Sequence, residues 1–117
     1  MNWLKYLTIL RQHPVVVFDY QANLNNGASA NGAIPCEGYS MLYGMIYSDQ
    51  AVTFTVEQGV KENAGTANYR HTDTIAVAAA TAETFEIPIV GKFVKCTVSN
   101  ASGAVAAIEC YARVRGI

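Results

Sequence analysis

The sequence predicts an all-β domain, an antiparallel β-sandwich or jelly roll of about seven to eight strands with a short N-terminal helix or arm. Three features predict it. From Pro14 onward apolar and polar side chains alternate with period two, the spacing that puts neighbours on opposite faces of a strand. The alternating runs are rich in β-branched and aromatic residues, which suit a pleated, half-buried surface. Turn-forming Asn, Asp, Ser and Gly interrupt them roughly every 8 to 15 residues, the rhythm of a sandwich.

Met1 to His13 depart from that rhythm. Trp3, Leu4, Leu7 and Leu10 recur at helical spacing, Lys5, Thr8 and Arg11 fall elsewhere, and Pro14 ends the run. Residues 1–14 therefore read as a short amphipathic segment, either a lid over one end of the sandwich or a docking segment, and 15–117 as the sandwich. Lys5 and Thr8 break the apolar stretch and no small-residue cleavage site follows, so it reads as structural rather than as a secretion signal. The first strand is Val15 to Tyr20, and the stretch from Asn23 to Gly32 reads as a long polar loop. Glu37 to Ser48 and Val52 to Glu57 are expected to form a hairpin about the turn Ser48-Asp49-Gln50. Tyr69 to Val77, Thr84 to Val90, Lys92 to Ser99 and Ala104 to Arg115 complete the set. Pro88 cannot donate to a ladder, which places its strand at an edge or bulge.

Parity identifies the inner faces: Val52, Phe54 and Val56; Phe85, Ile87 and Ile89; Val94, Cys96 and Val98; Ile108, Cys110, Ala112 and Val114. Each large side chain among them stabilises the fold by about 1.5 to 3 kcal/mol when buried. The strand around Tyr43 differs, because it is apolar on both faces. With Leu42 and Ile46 inside, Met41, Tyr43, Met45 and Tyr47 form an outward row that calls for cover by another chain or by the N-terminal segment.

In 117 residues, 51% are hydrophobic and 15% charged, which excludes a disordered tail. A net charge of -1 with no basic cluster gives counterion release no source, so nucleic acid is not an expected partner. No segment approaches the roughly 20 apolar residues of a membrane-spanning helix, and low charge suits an assembled, homo-oligomeric state.

No catalytic constellation emerges. His13 and His71 lie at no zinc or nucleophile spacing, so no metal or cofactor is expected. His71 and Asp73 share a strand face without a Ser or Cys placed beside them by any motif. Cys36, Cys96 and Cys110 lack close metal or redox spacing; Cys96 and Cys110 read as neighbours on consecutive strands, either buried thiols or a disulfide. Asn100-Ala101-Ser102 matches a glycosylation acceptor, but its setting is that of a turn.

Three stretches carry a family likeness. Gly44 to Gln58 with its Ser-Asp-Gln-Ala turn, Phe85 to Val90, and Gly91 to Asn100 resemble a β-sandwich module of tailed-bacteriophage structural proteins. The resemblance covers roughly Glu37 to Arg115 and departs from the family in having no tryptophan between Val60 and Tyr69. It implies a non-enzymatic virion component, most of all a capsid decoration or cement protein but with tail or neck placement also open, assembled in the host cytoplasm and bound to the major capsid protein or another virion protein. Trp3, Leu4, Tyr6, Leu7 and Leu10 are the docking candidates, and Tyr43, Met45 and Tyr47 the subunit contacts. A carbohydrate- or receptor-binding module using the tyrosine row is the alternative, as is a filament subunit that donates its N-terminal segment.

Overall fold

The computed structural model describes residues 14–61 and 68–116. The expected N-terminal segment, with Trp3, Leu4, Tyr6, Leu7 and Leu10, lies outside the described residues. Eight antiparallel strands follow in order: β1 (Val15–Leu24), β2 (Ser29–Pro35), β3 (Met41–Ser48), β4 (Val52–Gly59), β5 (His71–Val77), β6 (Thr81–Pro88), β7 (Phe93–Ser99) and β8 (Ala106–Arg115). Sheet A has the order β1-β8-β3-β6 and sheet B the order β2-β7-β4-β5.

A single rule generates both sheets. β1 pairs with β8, β2 with β7, β3 with β6 and β4 with β5, so each strand meets its mirror image in chain order. Successive pairs fall alternately in sheet A and sheet B, as in an antiparallel ribbon rolled on itself, and β3·β8 and β4·β7 contacts join the turns of the roll. This is the jelly roll. Every connection except β4 to β5 therefore crosses from one sheet to the other.

That topology corrects the expected hairpin of β3 with β4. The two strands lie in different sheets, and Ser48 to Gln50 is a crossover. Asp49 fixes it to β8: its N–H donates to the Ala107 carbonyl at 3.3 Å, and its Oδ1 accepts from the Ala107 N–H at 2.7 Å. Gln50 N–H donates to Ser48 Oγ at 3.2 Å. Turn residues alone do not distinguish a hairpin from such a crossing. Cys96 on β7 and Cys110 on β8 are likewise not on one hairpin, since their strands lie in opposing sheets.

The predicted loop from Asn23 to Gly32 is also corrected. β1 runs on to Leu24, the turn is confined to a few residues around Gly27, and β2 starts at Ser29. Being an edge strand with no fully buried side chain, β2 shows no apolar alternation. Its Gly32 answers a close approach: a Cβ there would strike the Val17 carbonyl oxygen of β1. At that place β1 carries a bulge between Val16 and Phe18, which lets the adjacent Val17 and Phe18 both enter the core.

The inner faces follow the predicted parity. Val52, Phe54, Val56, Phe85, Ile87, Val94, Cys96, Val98, Ile108, Cys110, Ala112 and Val114 are all buried, with Ile89 packed beside them. Phe54 of sheet B and Phe85 of sheet A meet with ring centroids 4.9 Å apart, a direct aromatic contact between the layers. Pro88 ends β6, an edge strand of sheet A.

Among the described residues three polar ones, Ser48, Gln58 and Asn100, are buried with the core. Gln58 Nε2 donates to the Pro88 carbonyl at 3.0 Å, and its Oε1 accepts the N–H groups of Val90 at 2.8 Å and Gly91 at 3.1 Å. It thus binds the β6–β7 crossing to β4. Asn100 Nδ2 donates to the Leu24 and Ala104 carbonyls, each at 2.8 Å, while its Oδ1 accepts from the N–H and hydroxyl of Ser102. Both hydrogens of that amide are engaged in a buried setting, so the folded chain withholds it from glycosylation.

All three cysteines are buried free thiols. Burial raises Cys36 to about 11 and, helped by the Asp19 charge, Cys110 to about 12. Cys96 is also pushed up, by burial first and then by the nearby Cys110.

Two tests follow from this packing. Gln58→Leu leaves the Pro88 carbonyl and the Val90 and Gly91 amides without their partner, so unfolding in urea is expected to show a loss of about 2 to 4 kcal/mol. An unchanged midpoint would refute the clamp. Above the ordinary thiol value of 9.0 the unfolded chain gives up protons that the folded chain retains, so rising pH favours unfolding. The urea midpoint, insensitive to these thiols below that pH, is expected to fall toward about 11 to 12, and Cys110→Val to fall less steeply than the parent.

Candidate functional site

The buried parity of β3 and β8 dictates what faces outward. Leu42 and Ile46 point inward from β3, as do Ile108, Cys110, Ala112 and Val114 from β8, so Met41, Tyr43, Met45 and Tyr47 and the row Glu109, Tyr111, Arg113 and Arg115 lie on the other face of sheet A. The β3·β8 register sets Met41 opposite Arg115, Tyr43 opposite Arg113, Met45 opposite Tyr111 and Tyr47 opposite Glu109. Glu86 and Thr84 of β6 flank Tyr43 and Met45 on one side. Asp19 of β1 flanks Tyr111 on the other. Gly44 permits the close pairing, because a Cβ there would collide with the Tyr111 carbonyl oxygen.

The predicted trio Tyr43, Met45 and Tyr47 is thereby brought onto one face. Met45 is 49% exposed and Tyr111 38%, a large apolar share for neighbouring residues on central strands, whereas Tyr43 and Tyr47 are half-buried. A groove of about 480 Å³ runs beside them, lined by Tyr43, Met45, Thr84, Glu86, Tyr111 and Arg113. A second hollow of about 230 Å³ lies against Gln21 and Glu109 and shares Met45 and Tyr111 with the first.

Electrostatically the face is held by stacking. The Arg113 guanidinium lies 4.5 Å from the Tyr43 ring centre and 4.8 Å from that of Tyr111, and the Arg115 guanidinium lies 4.8 Å from Tyr43. Cation–π contacts of this kind orient the planar forks while leaving their N–H edges free to bond elsewhere. Tyr111, Arg113 and Arg115 are absent from the residues predicted from sequence. Their outward parity was legible, but their place beside Tyr43 depends on the pairing of β3 with β8, which no local pattern encodes.

The remaining chemical candidates are dispersed. His71 Nε2 and Asp73 Oδ2 do meet at 3.2 Å on edge strand β5, yet their side chains are 56% and 41% exposed, a solvated pair rather than a shielded dyad. Among the described residues no group of three or more His, Cys, Asp or Glu converges as a metal site. The arrangement on sheet A is suited to non-covalent contact: apolar burial, stacking and charge.

No protein-family model matches the chain, and no curated protein matches it. Solved structures do. The PBSX exported protein XepA superimposes with a TM-score of 0.73 at 16% identity over 92% of this chain. This chain spans only 38% of XepA. A structure described as Bacillus endospore appendages forming disulfide-linked pili matches at 0.51 and 19% identity, covering 90% of this chain and 86% of that one. The CBM36-1 domain of a multidomain xylanase from the hindgut metagenome of Trinervitermes trinervoides matches at 0.52 and 9%, covering 90% and 98%. At such identities the likeness is one of fold: the chain is an eight-stranded antiparallel sandwich.

Proposed function

We propose that the chain is a non-enzymatic structural protein of a phage-like particle, a capsid decoration or cement protein that docks through the outward face of sheet A. The observation that carries this reading is the row of Met45 and Tyr111, exposed on the two central strands between half-buried tyrosines. An apolar ridge held by a stiff sandwich loses little entropy when a partner covers it. Whatever binds only the assembled shell shifts the balance away from disassembly, and symmetric repetition multiplies one modest contact into firm attachment. The sequence resemblance to phage β-sandwich modules and the fold shared with PBSX XepA support the same reading.

One observation counts against a sugar-binding role for the same tyrosines. Carbohydrate stacking needs an open ring face, whereas the Tyr43 ring already carries two guanidinium groups within 4.8 Å. A glycan array is therefore expected to show no binding above background.

Purified particles should contain the chain at repeated symmetric positions, and its absence from them would overturn the reading. The double variant Met45→Asp/Tyr111→Asp alters exposed residues, so its thermal midpoint should stay close to the parent's while its occupancy on particles falls by at least about tenfold. Undiminished occupancy would move the docking surface off sheet A.

A further inference from the structure

Arg113 and Arg115 project from the same face of β8, two residues apart, and both lie on Tyr43. Among the described residues neither guanidinium has an ion pair or a hydrogen bond, and the Nε of Arg113 is buried without an acceptor. Two like charges are thus pre-organised side by side with no protein acceptor on their donor edges, at the rim of an apolar groove. Buried donors without partners are costly, and a planar guanidinium fork matches a carboxylate in geometry and charge.

We infer that this face recognises an acidic, apolar segment of a partner protein, whose carboxylate is taken by Arg113 and Arg115 while a neighbouring apolar side chain packs on Met45 and Tyr111. Register sets the spacing. Arg113 and Tyr111 are two residues apart on β8, roughly 6.6 Å, which equals the separation of alternate residues in an extended segment lying along the strand. A segment running antiparallel to β8 therefore reads Asp or Glu, any residue, then an apolar residue.

Charge selects this occupant over two others. Residues 1–13 contain Lys5 and Arg11 but no acid, so the chain's own N-terminal segment would bring like charge to the arginines. A nucleic acid would set its continuous row of phosphates against Asp19, Glu86 and Glu109, which flank the same face. A lone carboxylate followed by an apolar group avoids both conflicts. The inference rests on sheet A facing a protein, and not on that protein's belonging to a virion.

The test is a titration of the full chain with the blocked peptide Gly-Asp-Gly-Leu-Gly, followed by NMR of the arginine Nε–H groups and the amides of β3 and β8. Saturable shifts are expected at Arg113, Arg115 and Met45, weakening with added salt. Replacing the peptide's Asp by Asn, or using Arg113→Gln/Arg115→Gln, should weaken binding by about tenfold or more. The peptide comparison needs only the parent chain, so it decides the matter even if the double variant does not fold. No saturable shift with the Asp peptide, or an equal response to the Asn peptide, would overturn the inference. So would inorganic phosphate reproducing the whole pattern, Met45 included, or a DNA oligonucleotide binding more tightly than the peptide. If the Asp variants at Met45 and Tyr111 lose particle occupancy while the peptide gives no response, the docking face stands and carboxylate recognition falls. A peptide response in a chain missing from particles gives the converse.

Discussion

The fold depends on what happens where the chain leaves one sheet for the other. In a rolled ribbon nearly every connection crosses the rim of an apolar core, and backbone groups released from one ladder must find partners before they join the next. The three buried polar residues serve this need. Gln58 gathers both amides and a carbonyl of the β6–β7 crossing. Asn100 secures the β7–β8 crossing to the end of β1. At Ser48 the hydroxyl receives Gln50 N–H and the carbonyl receives Ala80 N–H, fastening the β3–β4 and β5–β6 crossings together. Apolar burial supplies the bulk of the stability, whereas these residues tie the crossings to the strands they pass.

The same architecture makes the outward face of sheet A a firm platform. β3 and β8 are the two inner strands of that sheet, paired on both sides and packed beneath by Leu42, Ile46, Cys110 and Ala112. Side chains above them inherit that rigidity, and the stacking of Arg113 and Arg115 on Tyr43 adds to it. A binding surface on an edge strand such as β5 would have neither support.

Legibility from sequence followed the range of the interaction concerned. Inner faces such as Val94, Cys96 and Val98 were readable because burial on one side of a strand leaves period two in any window. The row Tyr43, Met45, Tyr47 was readable for the same reason, as an apolar face left over once Leu42 and Ile46 were assigned inward. β2 was not, because its Gly32 answers a backbone from the opposite sheet and its side chains are never fully buried. Nor was the true partner of β3, since Ser48-Asp49-Gln50 supplies turn chemistry that a crossing uses as well as a hairpin. The arginine cluster needed that partner, so its residues were visible singly while their meeting was not.

The register that opens the first strand has a further consequence. Val15, where the described chain enters the sandwich, pairs with Val114, almost where it leaves. Entrance and exit stand side by side at one end of sheet A. A domain so wired can be spliced into a surface loop of a larger protein, or threaded in tandem with copies of itself, without any strand having to surrender its neighbour.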